Sequence, residues 1–423
     1  MDLSVFSEID QLAQVLVHRP GNEVECMTPS LMEELLFDDV IYSKTAKKEH
    51  DLFTGVMRAH GVNVTFFQDL LRDALKIDED LTRRLVNRIV VTESMPPESE
   101  DMIKSLDHDE LAHVLIEGLR APGNDPDHLF DLGPLPNLLF SRDAQIVLGD
   151  TILFSSMKNT ARVRESLLSS FVFQTGRGLS PDNVLGDLSG LRLQSRANVF
   201  GAATIEGGDV LVFEDGVCVV GMSERTSKQG IVALRRLLRK SESFKKLVVV
   251  LMPENRAQMH LDTIFTRISQ EEVLVYSPMM LSGQSQTLGA LVYSLSGDQN
   301  DSRAHYYEST LQALSSTGID VKPVYCGGRD SFIEQSREQW TDGANAFALK
   351  DGVICLYDRN VRTLEELDKS GYDVVHARTL DLDGVREMPT RKTVFVFPSH
   401  ELSRARGGPR CMTMPLRRLS PGA

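Results

Sequence analysis

The chain has 423 residues, 41% of them hydrophobic and 25% charged, with 30 Gly and 17 Pro, an ordinary globular composition that excludes collagen-like, low-complexity or wholly disordered architecture. Its 46 Lys plus Arg stand against 60 Asp plus Glu, a formal net charge of −14, which disfavours phosphate backbones and anionic membrane surfaces as partners. The five cysteines, Cys26, Cys218, Cys326, Cys355 and Cys411, are odd in number and free of CxxC spacing, which argues against a disulfide framework and a zinc site.

In chain order, the first residues, Met1 to Glu8, lack the basic and apolar regions of a signal peptide. No later stretch approaches about 18 uninterrupted apolar residues, so a soluble cytoplasmic protein is expected. Residues 13–18 read as a strand, 47–60 as an amphipathic helix stopped by Gly61, and Val62-Asn63-Val64 as a strand behind it. Residues 70–130 carry leucines at helical spacing, among them Leu71, Leu75, Leu85, Leu111 and Leu115, punctuated by Met95-Pro96-Pro97 and Ala121-Pro122-Gly123. This predicts an inserted α-helical domain over 70–130 in an α/β body formed by 1–69 and 131–423.

Four segments then repeat one pattern, a polar strand, a turn and an apolar strand: 140–154, 209–222, 262–276 and 345–357. Turns such as Gly149-Asp150, Asp215-Gly216 and Asp351-Gly352 between β-rich runs predict hairpins. The second is followed by a helical stretch over 228–240 and a buried strand over 246–251, so the unit is hairpin, helix, strand. A fifth unit, split between 13–18 and 392–397, would close the units into a ring.

The candidates for chemistry lie at the heads of these units. Cys411 follows Gly407-Gly408-Pro409-Arg410 among Arg404, Arg406 and Arg410, and nearby cations favour thiolate over thiol, making it the candidate nucleophile. Cys218 and Cys355 sit within apolar strands and read as core, while Cys26 and Cys326 are uninformative. Glu206 precedes Gly207-Gly208-Asp209, where a strand start could present a carboxylate. His260 and Asp262 alternate along an expected strand and so share a face, suiting a general base beside an ion-binding carboxylate. Asp143 is another strand-borne carboxylate. Singly, Glu206 reads equally well as part of a turn and His260 as a surface histidine; the weight lies in their recurrence at corresponding places. Carboxylates around a thiol raise its pKa and repel anions, but they suit a cationic guanidinium with its five N–H donors. The pattern suggests thiolate attack on a guanidinium carbon.

Along essentially the whole chain the sequence resembles the arginine deiminases of the guanidino-modifying (pentein) superfamily. The resemblance is carried by Leu16-Val17-His18-Arg19-Pro20, Leu36-Phe37-Asp38-Asp39, Pro136-Asn137-Leu138-Leu139-Phe140-Ser141-Arg142-Asp143, Glu206-Gly207-Gly208-Asp209-Val210, Ser223-Glu224-Arg225-Thr226-Ser227, Met259-His260-Leu261-Asp262, Gln339-Trp340-Thr341-Asp342-Gly343-Ala344-Asn345 and Arg406-Gly407-Gly408-Pro409-Arg410-Cys411-Met412. It implies an α/β fold, a five-module pseudo-fivefold propeller with a helical insertion. It further implies hydrolysis of L-arginine to citrulline and ammonia with Cys411 as nucleophile, His260 as general acid and base, Glu206 orienting or protonating the guanidinium, and Asp143 and Asp262 on its nitrogens. Asn137, Phe140, Arg162, Arg225, Arg406 and Asp209 match substrate-binding positions, with the arginines on the α-carboxylate.

No metal or organic cofactor is implied, and a homo-oligomer, dimer or tetramer, is. Two departures bear on the pH optimum: Gly-Gly-Pro-Arg precedes the cysteine where some members have Gly-Gly-Gly-His, and Ser141 stands where threonine is common. Agmatine or dimethylarginine hydrolysis, amidino transfer and a silent arginine-binding protein stay open. The intact Cys411, His260, Glu206, Asp143 and Asp262 weigh against the last.

Overall fold

The computed structural model describes residues 2–123, 125–176, 178–190, 202–296 and 303–420. Five sheets repeat one arrangement: two strands pair antiparallel, and one of them also pairs parallel with a third strand reached across a helix. A parallel neighbour needs such a crossover, because a tight turn can only reverse the chain. The first sheet pairs Gln145–Leu148 with Thr151–Phe154, and the latter with Val184–Asp187 after the helix Val163–Phe171. In the second, Val210–Phe213 and Val217–Met222 are followed by the helix Lys228–Leu238 and the strand Lys246–Leu251. Two further antiparallel strands, Ala290–Ser294 and Ala304–Tyr307, widen this sheet. The third comprises Phe265–Arg267, Glu272–Val275 and Lys322–Tyr325, and the fourth Phe347–Lys350, Val353–Tyr357 and Thr393–Phe397, with Asp373–His376 at its edge.

The fifth sheet corrects the expected closure. Gln11–Val17 pairs antiparallel with Met414–Leu419 and parallel with Asn63–Phe66. The run over 392–397 does not join it; Thr393–Phe397 is the parallel third strand of the fourth sheet. All five residues of Thr393–Phe397 are buried, as befits a strand covered on both faces. Met414–Leu419 alternates buried and exposed positions from Leu416 onward, and its Pro415 and paired arginines mask its strand character.

The helix Ser43–Ala59 buries Ala46, His50, Phe53 and Met57 along one face and ends before Gly61, whose φ of +80° continues the chain in a conformation favourable only to glycine. The segment after Asn63–Phe66 is helical: Phe67–Leu75, Glu79–Glu93, Pro97–Ser105 and His108–Glu117, followed by a short ladder of Leu119–Arg120 with Phe130–Leu132. Leu71, Ile89 and Leu115 of these helices share one apolar cluster with Leu148, Leu153 and Phe154 of the first sheet. The helical segment is therefore packed onto the β structure through a common core.

Short 3-10 turns stand ahead of three hairpins, Gly207–Asp209 and Leu261–Thr263 next to their first strands and Pro136–Leu139 separated from its strand by the turn over 141–144. This corrects the strand placement of the polar residues: Asp143 lies in the turn before Gln145–Leu148, Glu206 and His260 cap turns, and Asp262 lies within one. At His260 the local competition is visible. Its carbonyl accepts both the Thr263 N–H at 3.2 Å and the Thr263 hydroxyl at 2.6 Å, and such side-chain bonds pull the backbone out of the extended state.

Candidate active site

Cys411 lies on the loop joining the turn Leu402–Ala405 to the last strand. Its N–H donates to Asn345 Oδ1 at 3.1 Å, as does that of Arg410 at 3.0 Å, while Asn345 Nδ2 donates to the Asp262 carbonyl at 3.0 Å. One buried amide thereby ties the cysteine loop to the turn bearing Asp262. The loop can pass this closely because it begins with glycines: a Cβ at Gly407 would collide with the Phe140 ring, and one at Gly408 would come within 2.6 Å of Asn345 Oδ1. Cys411 Sγ stands 3.6 Å from Asp262 Oδ2.

His260 Nε2 and Glu206 Oε2 are 2.9 Å apart, and Glu206 Oε1 accepts the Lys158 N–H at 2.9 Å. On the other side of the imidazole, Nδ1 is 3.9 Å from Asp143 Oδ1, which accepts the Gly208 N–H at 3.1 Å. Arg162 spans the acidic cluster, donating from Nη1 to Asp143 at 2.9 Å and from Nε and Nη2 to Glu165. Arg225 Nη1 is 3.6 Å from Glu206 and has no hydrogen-bond partner. Arg406, in the left-handed region with φ of +64°, stacks its guanidinium 3.5 Å over the centroid of Trp340 and bonds the Trp340 and Ala257 carbonyls. Its Nε has no hydrogen-bond partner.

Asn137, Phe140, Asp143, Arg162, Arg225, His260, Arg406 and Cys411 line one cavity with Leu36 and Met259. Its free volume is about 20 Å³, room for a single water. Asp262 and Glu206 lie just behind its wall, against Cys411 and His260 respectively. Asp209, expected as a substrate-binding residue, is likewise not among the residues lining the cavity. Its Oδ1 accepts the Leu261 N–H at 2.9 Å and its Oδ2 the Ser223 hydroxyl at 2.6 Å, so it fixes the backbone on which His260 and Arg225 are mounted. A larger cavity of about 610 Å³, lined in part by Phe6, Asp10, Asp215 and Lys350, holds none of the expected site residues.

The family model for arginine deiminase matches residues 33–418. The chain belongs to the arginine deiminase family. Among curated relatives named arginine deiminase, that of Mycoplasma capricolum subsp. capricolum is 33% identical over 429 residues, spanning 98% of this chain and 96% of its own. That of Listeria monocytogenes is 33% identical over 430 residues, spanning 98% and 97%. Among solved structures, SxtG, an amidinotransferase from Microseira wollei, aligns with a TM-score of 0.54 at 13% identity over 99% of this chain and 98% of its own. The N-terminal domain of ArgZ, a cyanobacterial arginine dihydrolase, aligns at 0.50 with 13% identity over 97% and 98%. At such identities the likeness is one of fold, an α/β arrangement of mixed sheets.

The electrostatics of this family member's site run against one expectation. Burial, reinforced by Asp262, Asp143 and Asp342, pushes the Cys411 thiol well above its ordinary value. The arginines expected to lower it are engaged elsewhere: Arg404 with Asp39 at 2.7 Å, Arg406 with Trp340, and Arg410 with Asp262 at 2.8 Å. Burial alone would lower the His260 pKa, but Asp143, the Glu206 bond and Asp209 raise it to about 9. Burial works to raise Glu206, yet Arg225, the His260 bond and Arg162 hold its carboxyl below the ordinary range. Asp209 is pushed up to about 7 by burial, against the opposing pull of His260 and Ser223.

Among the described residues, Asp143, Glu206 and His260 are the one group whose ligand-type atoms cluster within 4.8 Å. Arg162 at 3.7 Å and Arg225 at 3.6 Å from Glu206 already bring positive charge to this group. Asn345, Glu165 and Arg410 were not singled out as site residues by sequence reasoning. Asn345 carries a signal in retrospect, a lone amide opening an apolar hairpin.

Proposed function

We propose that this chain hydrolyses L-arginine to L-citrulline and ammonia through a covalent intermediate on Cys411. The observation that carries the reading is the make-up of one cavity. The Cys411 thiol and the His260 imidazole, backed from behind the wall by the Glu206 carboxylate, share it with two arginines, Arg225 and Arg406. Arg162 is held by Asp143 and Glu165, which leaves Arg225 and Arg406 to pair with a ligand α-carboxylate. The acidic side chains Asp143, Glu206 and Asp262 match the other end of the same substrate, its guanidinium.

In the resting site His260 is an imidazolium and Cys411 a thiol at neutral pH, following the raised values of both groups. A bound guanidinium adds positive charge beside Asp262 and Asp143, offsetting the carboxylates that hold the proton on sulfur. The thiol proton passes to bulk water as the cation binds, and the thiolate so formed adds to the guanidinium carbon, giving a neutral tetrahedral adduct. His260 donates its proton to the departing nitrogen, ammonia leaves, and the carbon–sulfur bond of an S-alkylthiouronium remains. Water, deprotonated by the now neutral His260, attacks the same carbon; the carbon–sulfur bond breaks and citrulline is released. Glu206 holds the imidazolium and orients the guanidinium, Asp143 and Asp262 bind its nitrogens, and Asp209 acts as a positioning residue. Asn137, Phe140 and Arg162 complete the wall. No metal or organic cofactor enters these steps.

The proposal extends to architecture. The five like sheets are read as modules of a pseudo-fivefold propeller, with residues 70–130 inserted as a helical domain in a body of 1–69 and 131–423. Among the described residues no helix is long and apolar enough to cross a membrane, and a cytoplasmic location is part of the reading. So is a homo-oligomer, dimer or tetramer, for which Ile77, Val91 and Met102, exposed on or beside the helices of the insertion, offer apolar contact surface.

The test is a citrulline and ammonia assay with arginine, agmatine and dimethylarginine side by side. Equimolar citrulline and ammonia from arginine, and neither from Cys411→Ala, are expected. Turnover of agmatine in preference to arginine would remove Arg225 and Arg406 from carboxylate recognition, and an inert wild type would leave a binding protein.

A further inference from the structure

A column of buried charge stands behind Cys411, and its far end comes from the N-terminal segment. Residues ahead of Gln11–Val17 are laid across the sheets by backbone bonds from the Val5 N–H to the Gly149 carbonyl at 2.8 Å and from the Glu8 N–H to the Val212 carbonyl at 2.9 Å. This delivers Glu8 to the interior, where Oε1 accepts Arg410 Nη2 at 3.0 Å and Oε2 accepts Arg410 Nε at 3.1 Å. The other edge of the same guanidinium donates from Nη1 to Asp262 Oδ2 at 2.8 Å, and Asp262 Oδ2 is 3.6 Å from Cys411 Sγ. Nη2 also bonds the Val210 carbonyl at 2.7 Å.

We propose that Glu8 is a positioning residue for the reaction at Cys411, acting through Arg410 on Asp262. This rests on the reading of Cys411 as a nucleophile toward a guanidinium. By taking two N–H groups of Arg410 in a bidentate pair, Glu8 leaves Asp262 a single bond to that arginine. Asp262 then keeps charge for the substrate. Without Glu8, Arg410 would have Asp262 as its one remaining counter-charge, and a buried cation short of a partner draws on whichever anion is left.

The titratable groups facing Glu8 are Arg410, Arg142, Arg418 and the Cys218 thiol; against burial, the three arginines together with the Arg410 bonds hold its carboxyl at about 2. It stays ionised across the working range. The thiol is held up by Asp262, Asp143 and Asp342 and is also faced by Arg406 and Tyr357, so less effective charge on Asp262 makes the thiolate easier to form while weakening the grip on the guanidinium.

The experiment compares wild type, Glu8→Gln, Glu8→Asp and Glu8→Gln/Arg410→Gln in steady-state arginine hydrolysis across pH, with thermal melts alongside. For Glu8→Gln the KM for arginine should rise about tenfold or more, with kcat changed less, because a broken buried charge pair is expensive. The pH limb set by the thiol should move to lower pH. Glu8→Asp, keeping the charge, should lie nearer wild type. The double variant, which removes both buried charges, should recover most of the KM, the signature of coupled residues.

A lower melting temperature with KM and pH limb unmoved would make Glu8 purely structural and overturn the proposal. Should Glu8→Gln yield no folded protein, the double variant decides: a KM near wild type supports the coupling and a raised one contradicts it. Wild type that fails to turn over arginine overturns the functional reading instead, so the two failures are distinguishable.

Discussion

At the scale of single residues, the site is a set of opposed charges whose protonation the substrate resets. His260, raised to about 9 by Asp143 and the Glu206 bond against the effect of burial, is the acid that releases ammonia in the proposed mechanism, so kcat/KM should fall as pH climbs through that value. Glu206 favours the imidazolium form. Removing its charge lowers the His260 pKa, so in Glu206→Gln the falling limb should shift to lower pH by about one unit or more, with kcat reduced at least about tenfold. A pH–rate series on the two proteins checks this, and a limb that stays in place would contradict the assignment. The thiol follows the opposite logic: it is held protonated until a cation arrives, which protects it from oxidation and alkylation at rest.

At the scale of elements, what matters is how turns carry side chains to one place. Asn345 opens the hairpin of the fourth sheet and holds both the Cys411 loop and the Asp262 turn through three bonds. Asn345→Ala would leave two buried N–H groups and a carbonyl unsatisfied, at a cost of about 1–3 kcal/mol for each group that water cannot reach. A clear drop in melting temperature should accompany a fall in kcat larger than any rise in KM, as the sulfur loses its position.

The hairpins were legible in the sequence because Gly149-Asp150, Asp215-Gly216 and Asp351-Gly352 demand reversals between apolar runs. The 3-10 turns ahead of them were not, since two or three residues carry no periodicity and the alternation of His260 and Asp262 imitates a strand. Met414–Leu419 was missed for a related reason. Its pairing with Gln11–Val17 is specified by a partner some 400 residues away rather than by its own residues. Cys411, His260, Glu206, Asp143 and Asp262 stand out in the sequence because each is a reactive type at a module's head. The fully buried Glu8–Arg410 pair has no such local mark.

At the scale of the whole molecule, the ends of the chain meet in one sheet, so the nucleophile loop is anchored between the fourth sheet and the strand that joins the termini. Over the cavity lie Leu36 and Arg406, both in left-handed conformation, with φ of +63° and +64°. Ion pairs of Asp38 with Arg256 at 2.9 Å and Asp39 with Arg404 at 2.7 Å fasten the same stretch. The cavity's free volume is about 20 Å³, and under the proposed function these segments are the candidates to part for arginine. Asp38→Ala should quicken arginine association in stopped flow while changing stability by less than about 1 kcal/mol, as expected for a partly exposed pair; an unchanged association rate would place the gate elsewhere.

The central claim is a covalent bond between Cys411 sulfur and the guanidinium carbon. It is tested most directly by acid-quenching the wild-type protein with arginine during turnover and reading intact and peptide masses. A mass increase of one arginine less one ammonia is expected, confined to the peptide containing Cys411 and absent from Cys411→Ala. Citrulline formation with no such adduct at any quench time, or with turnover surviving in Cys411→Ala, would contradict it.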